Sequence, residues 1–189
     1  IVYGGVCDQT TIANMTNHSY FNLAGEGSGS AMNQYLTIHA EQYTPVGEGS
    51  IPLGENAAVE GTPMDFTQPK AIGKEIDADF EQLQMTGGYD HNFVLDKPEG
   101  AFDWMAKAYC EKTGIALEAY TDCPGVQFYA ANFVDNEKGK NGAVYDKRHA
   151  FCLESQYCPN AVNDTHFAQP FLKAGEKYDT KTVYRFLVK

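Results

Sequence analysis

Basic residues are scarce in this chain. Its 14 Lys and Arg stand against 25 Asp and Glu, and the formal net charge is −11 with a pI near 4.8. A field of that sign repels phosphate backbones and anionic lipids, which disfavours nucleic acid and membrane surfaces as partners; a neutral ligand is not penalised. No run of about eighteen apolar residues occurs, so no transmembrane helix is indicated. No signal-peptide pattern is visible either, and a cytoplasmic location is expected. Cysteine is limited to five residues, an odd number, at 7, 110, 123, 152 and 158. Their spacing matches no zinc pattern, so reduced thiols and no metal are expected. Internal repeats, low-complexity tracts and shifts of composition are all lacking, which argues for one domain over residues 1–189.

What is present points to strands. Hydrophobic residues make up 43% of the chain, enough for a core, with 12 Tyr and 11 Phe against a single Trp. The 18 Gly and 8 Pro are spread along the sequence, as turns between many short strands require. Alternation at period two predicts strands over 115–120, 126–131 and 183–188, with shorter ones over 36–40 and 91–95. Cys123-Pro124-Gly125 predicts a turn, and the polar, Gly-containing run 136–142 an exposed loop. Residues 47–69, rich in Gly and Pro, read as a long ordered loop. The one helical candidate is 74–85, where Ile76, Phe80 and Leu83 fall at helix-like spacing. The resulting class is all-β, a large antiparallel sandwich or barrel.

Two distant segments each present one proton-handling side chain among polar neighbours. One is Asn14-Met15-Thr16-Asn17-His18-Ser19-Tyr20-Phe21-Asn22. The other is Phe151-Cys152-Leu153-Glu154-Ser155-Gln156-Tyr157-Cys158-Pro159-Asn160. A histidine and a carboxylate brought together by folding make an acid–base pair, because their ordinary pKa values let one be protonated while the other is not. Taken singly, each also reads as an ordinary surface or hydrogen-bonded residue. Sequons occur at Asn14, Asn17 and Asn163; two overlap the His18 segment, and all three read as chance matches.

These two segments resemble those of the aldose 1-epimerases. The resemblance continues through Thr44-Pro45-Val46-Gly47-Glu48-Gly49, Thr62-Pro63-Met64-Asp65-Phe66, Gly87-Gly88-Tyr89-Asp90-His91-Asn92-Phe93 and Cys123-Pro124-Gly125-Val126-Gln127-Phe128, in the family's order. It implies a twisted antiparallel β-sandwich of the galactose mutarotase type. It also implies a chain that corresponds to the C-terminal part of such a domain, since family members carry an Arg and a second His ahead of the His18 segment. Met15 stands where Leu is usual, and Asn160 where Asp is common.

The activity so implied is interconversion of the α and β anomers of free hexoses such as galactose and glucose. Ring opening takes a proton from the anomeric hydroxyl and gives one to the ring oxygen. The resemblance assigns Glu154 as the base and His18 as the acid, with Asp90 and Gln127 binding sugar hydroxyls. No cofactor is expected, because no electrons or groups leave the sugar. The expected partner is a small-molecule sugar, and the expected state a monomer or homodimer. His91 follows Asp90 on a strand and faces the other way; it stays outside the site, as do His39, His149 and His166. Two other classes remain open: a carbohydrate-binding or regulatory module without turnover, and a glycoside hydrolase using Asp90 and Glu154 as paired carboxylates.

Overall fold

The computed structural model describes residues 1–188. Chain order begins with β1 (Val2–Val6), β2 (Thr11–Ile12), β3 (Tyr35–Ile38), β4 (Gln42–Tyr43), β5 (Ala57–Ala58), β6 (Lys70–Ala71) and a short helix, α1 (Glu81–Thr86). It continues through β7 (Asp90–Val94), β8 (Asp103–Tyr109), β9 (Ile115–Thr121), β10 (Gly125–Tyr129), β11 (Glu137–Lys138) and β12 (Val144–Tyr145). The last strands are β13 (Cys152–Gln156), β14 (Phe171–Leu172) and β15 (Lys177–Val188). A six-stranded sheet has the order β1-β15-β9-β8-β3-β6, and a five-stranded sheet the order β13-β10-β7-β4-β5. Both are antiparallel throughout. Among the described residues no helix is long and apolar enough to cross a membrane.

The core lies between the two sheets. The six-stranded sheet contributes small and aliphatic side chains: Ala106, Ala108, Ala119, Leu36, Ile38 and Leu117. The five-stranded sheet contributes bulk. Phe93 and Phe128 join Phe66 and Tyr89 in a cluster with ring centroids 4.9–6.4 Å apart. Burying a side chain such as Phe93 or Phe128 contributes about 1.5–3 kcal/mol. Alternation does the rest. Along β10, Val126 and Phe128 face the core, which sends Gly125, Gln127 and Tyr129 to the other face.

The turn at Cys123-Pro124 forms as expected, with a consequence that sequence alone does not show. It is not a hairpin turn, because β9 lies in the six-stranded sheet and β10 in the five-stranded one. The Cys123 amide donates to Thr121 Oγ1 at 3.1 Å, and the Leu95 amide donates to the Pro124 carbonyl at 3.0 Å. The chain thus crosses from one layer to the other in three residues.

The helix is shorter than the spacing predicts. Only Glu81–Thr86 is α-helical, preceded by a 3-10 turn at Ile72–Lys74. Of the residues in the pattern, Ile76 and Leu83 are buried and Phe80 is partly so, but only Leu83 lies in the helix: a turn delivers Ile76, and Phe80 is the extended residue that precedes α1. Asp77 and Asp79 are weak helix formers, and both are engaged elsewhere, by Arg148 and by Gln84. Gly87 closes α1 in the left-handed conformation at φ 67°. The 47–69 loop is mostly irregular, interrupted by β5. The 136–142 run is exposed but partly ordered, forming a ribbon of β11 and β12.

Candidate active site

The outer face of the five-stranded sheet is polar. Register places Gln127 of β10 between Glu154 of β13 and Asn92 of β7. One step along, Tyr129 lies between Cys152 and Asp90; one step the other way, Gly125 lies between Gln156 and Val94. Side chains directly opposite one another share a face, so Asp90, Gln127 and Glu154 are gathered on one surface. All of β13 is buried, which means that this polar face is covered rather than washed by solvent.

Much of the cover is the His18 segment. Phe21 and Phe151 form an antiparallel bridge, exchanging backbone hydrogen bonds of 2.8 and 3.0 Å. Continuing that register by three residues on each side sets His18 opposite Glu154. The far end is tied as well. Asn14 Nδ2 donates to the Tyr157 carbonyl at 3.0 Å, and the Tyr157 amide donates back to Asn14 Oδ1 at 2.9 Å. Asn17 Nδ2 donates to the Tyr184 hydroxyl at 3.2 Å. The Asn14 and Asn17 amides are therefore occupied in holding this segment, in keeping with the reading of both sequons as chance matches.

His18 Nε2 lies 3.4 Å from Glu154 Oε1; the histidine side chain is 50% exposed and the glutamate side chain 10%. One partner is thus accessible from solvent and the other is nearly buried beneath it. Burial pushes the Glu154 carboxyl above its ordinary range; His18 opposes the shift, and the Asp90 carboxylate adds to it. Burial likewise raises Asp90, opposed by the hydrogen bond from Gln127 and by His18. Gln127 Nε2 donates to Asp90 Oδ1 at 2.8 Å. Asp90 and Gln127 are therefore a bonded pair beside the Glu154–His18 contact, and all four expected residues meet.

Several neighbours were not anticipated. Tyr20 stacks on His18 with centroids 4.9 Å apart, and Tyr129 meets both rings edge-on. Burial raises the Tyr20 hydroxyl to about 12, so it stays protonated as a donor near neutrality. Beyond Gln127 runs a relay of amides. Gln156 Nε2 lies 3.0 Å from Gln127 Oε1 and 3.1 Å from Asn92 Oδ1, and Asn92 Nδ2 donates to Thr44 Oγ1 at 3.1 Å. A signal for these existed: Asn92 and Gln156 each lie two residues from an expected site residue on a strand, hence on the same face. The ligand atoms of His18, Cys152 and Glu154 lie within 4.8 Å of one another.

The excluded histidines stay out. His91 is fully buried on the core side, with Nε2 3.3 Å from Gln82 Oε1. Its Nδ1 accepts from the Asp90 amide, which makes Nε2 the donor, and burial lowers its pKa to about 4. His39 stacks flat on Trp104 at 4.6 Å, and His166 meets Phe167 edge-on. His149 Nδ1 accepts from the Asp146 amide at 3.3 Å.

The fold is an antiparallel β-sandwich whose five-stranded sheet gathers Asp90, Gln127 and Glu154 on one face, with His18 held against Glu154 from outside the sheet. The aldose 1-epimerase family model matches residues 1–185, and the chain belongs to that family. It is 45% identical over 187 residues to the galactose mutarotase of Sus scrofa, covering 98% of this chain and 53% of that protein. Among solved structures it is similar to an aldose epimerase homologue from C. elegans, with TM-score 0.85 and 28% identity over 99% of this chain and 55% of that one. It is also similar to a galactose 1-epimerase from Lactobacillus acidophilus, with TM-score 0.82 and 29% identity over 99% of this chain and 52% of that one. The chain spans about half the length of the curated relatives it matches.

Proposed function

We propose that the protein carrying this chain is an aldose 1-epimerase acting on free hexoses such as galactose and glucose. The observation that carries this reading is the 3.4 Å contact between a half-exposed His18 and a buried Glu154. On this reading the sugar enters between them. Glu154 accepts the proton of the anomeric hydroxyl while His18 gives one to the ring oxygen. Both oxygens are bonded to one carbon, so two groups that touch when the site is free are well placed to serve both. The C1–C2 bond then rotates, and the pair reverses roles to close the ring on the other face of the aldehyde.

Asp90 and Gln127 hold the sugar's hydroxyls. A carboxylate accepts two hydroxyl hydrogen bonds, and an amide both donates and accepts. A sugar lacking a hydroxyl there leaves buried polar groups unpaired, which is the basis of discrimination. Tyr20 flanks the acid and limits the orientations open to its ring. The reaction requires no cofactor, since it moves protons only.

The test is polarimetry on freshly dissolved α-galactose and α-glucose, comparing the full-length protein with its Glu154→Gln variant. Acceleration lost in the variant supports the assignment. A folded full-length protein that binds either sugar without accelerating mutarotation would favour a carbohydrate-binding module of the same fold.

A further inference from the structure

We propose that His18, Glu154 and Cys152 together form a binding site for a thiophilic divalent cation of the Zn²⁺ or Cd²⁺ class, and that occupancy blocks the acid–base pair. Cys152 and Glu154 are two residues apart on β13, and strand alternation aims both side chains at the outer face. His18 is delivered opposite Glu154 by the Phe21–Phe151 bridge. The three therefore present one nitrogen, one sulfur and one oxygen, all within 4.8 Å of one another.

These are the donor types that zinc takes. With bonds of about 2.0–2.3 Å, tetrahedral ligand atoms lie about 3.3–3.8 Å apart. The His18–Glu154 separation of 3.4 Å already has that length, so the remaining adjustment is an approach of the sulfur by about 1 Å relative to the 4.8 Å limit. His18 is half exposed and supplies the needed movement. Charge favours the ion as well: the half-buried Asp90 carboxylate disfavours the charge of the buried Glu154 carboxylate beside it, and a dication between His18 and Glu154 relieves that repulsion. A hard cation such as Mg²⁺ prefers oxygen ligands and finds too few here.

Binding is a ligand exchange without electron transfer. The S–H bond of Cys152 breaks, its proton passes to solvent, and the sulfur lone pair forms the bond to the metal. The imidazole and carboxylate donate lone pairs, and water completes the shell. With the ion in place, neither His18 nor Glu154 can carry a proton to or from a ligand. Ion binding does not rest on the mutarotase reading; only its effect on turnover does.

The experiment titrates the reduced, metal-free full-length protein with Cd²⁺ and follows sulfur-to-cadmium charge-transfer absorption in the ultraviolet. The expected result is one equivalent bound with that absorption and displaced by excess galactose. The Cys152→Ser variant should lose the absorption and bind at least tenfold more weakly, while Cys7→Ser, which removes a partly exposed cysteine on β1's flank, should bind as the parent does. In polarimetry, Cd²⁺ should inhibit the parent at lower concentration than Cys152→Ser. Absence of the band in the parent, or a band abolished by Cys7→Ser and kept in Cys152→Ser, overturns the proposal. If Cys152→Ser fails to fold, His18→Gln, at a half-exposed position, takes its place: it should bind Cd²⁺ at least tenfold more weakly, and parent-like binding in it overturns the proposal. A protein that binds Cd²⁺ as expected yet shows no mutarotation would sink the functional reading and leave the ion site standing.

Discussion

Gly125→Ala is the substitution whose effect the site geometry specifies most fully. Gly125 occupies the polar face between Gln156 and Val94. Its backbone lies outside the left-handed region, so alanine is tolerated conformationally and the difficulty is space. A Cβ there would sit 2.6 Å from Asn92 Oδ1 and 3.2 Å from the Phe93 carbonyl oxygen. The Asn92 amide has to swing away. In doing so it gives up the hydrogen bonds with Gln156 and Thr44, both 3.1 Å. Two such bonds contribute about 1 kcal/mol each, and overpacking a buried site costs about 1–3 kcal/mol more. Reduced freedom of the unfolded chain returns about 0.4–1 kcal/mol. The net expectation is a loss of about 2–4 kcal/mol. Urea unfolding of the full-length protein measures it. Asn92→Ala removes the obstructing oxygen, so adding Gly125→Ala in that background should cost about 1.5 kcal/mol or less, a coupling visible in a double-mutant cycle. On the proposed function, because Gln156 also bonds Gln127, Gly125→Ala should raise KM for galactose more than it lowers kcat. A variant within about 0.5 kcal/mol of the parent, or a strictly additive cycle, would refute the reasoning.

On the proposed mechanism, Glu154→Gln and His18→Gln should each lower kcat by about 10²–10⁴, the usual worth of a general acid or base, with far smaller effects on KM; steady-state polarimetry checks this. The acid limb of the rate profile should lie above the ordinary carboxylate range, because burial raises Glu154, and Asp90→Asn should move that limb to lower pH by removing one of the groups that raise it. A limb that stays put in Asp90→Asn while the protein still turns over contradicts that electrostatic account. The raised Glu154 carboxyl has a stability corollary. In the folded state its charged form is disfavoured, a penalty fully present above the folded pKa and absent below the unfolded one. Glu154→Gln should accordingly raise the unfolding midpoint at neutral pH and lose that gain in acid, as pH-dependent melting curves would reveal. Asn14→Ala removes two hydrogen bonds to Tyr157; it should loosen the His18 segment and cut kcat, with Asn14→Asp restoring only the half that accepts from the Tyr157 amide.

The strands named from alternation, β3, β7, β9, β10 and the second half of β15, were legible because alternation is a local property. Val126-Gln127-Phe128-Tyr129 declares two faces whatever its partners are. The helix at 74–85 formed only over its last residues for the opposite reason: Ile76 and Leu83 are buried at the expected spacing, yet long-range contacts of Asp77 with Arg148 and turns at Glu75–Ala78 set the backbone of its first half. The turn at Cys123-Pro124 was visible as a turn, but which sheet follows it depends on pairing partners far along the chain. Among site residues, His18, Asp90, Gln127 and Glu154 were nameable through a resemblance spread over ordered segments. Asn92 and Gln156 were marked only by their two-residue spacing from Asp90 and Glu154, and the value of Tyr20 and Cys152 comes from what stands opposite.

By itself, then, the sequence determined the all-β class, the two-faced character of the central strands, the family and the four polar residues of the expected site. The first two follow from residue types and short-range periodicity, the family and the four expected residues from a resemblance spread over ordered segments. Tertiary structure alone decided that the Phe21–Phe151 bridge sets His18 against Glu154, that Gly125 leaves room for the amide relay, and that the Cys152 thiol lies within reach of both. Each of these is a matter of register between segments more than thirty residues apart, and register is fixed by the packing of both sheets about a common core, not by any stretch of chain read on its own.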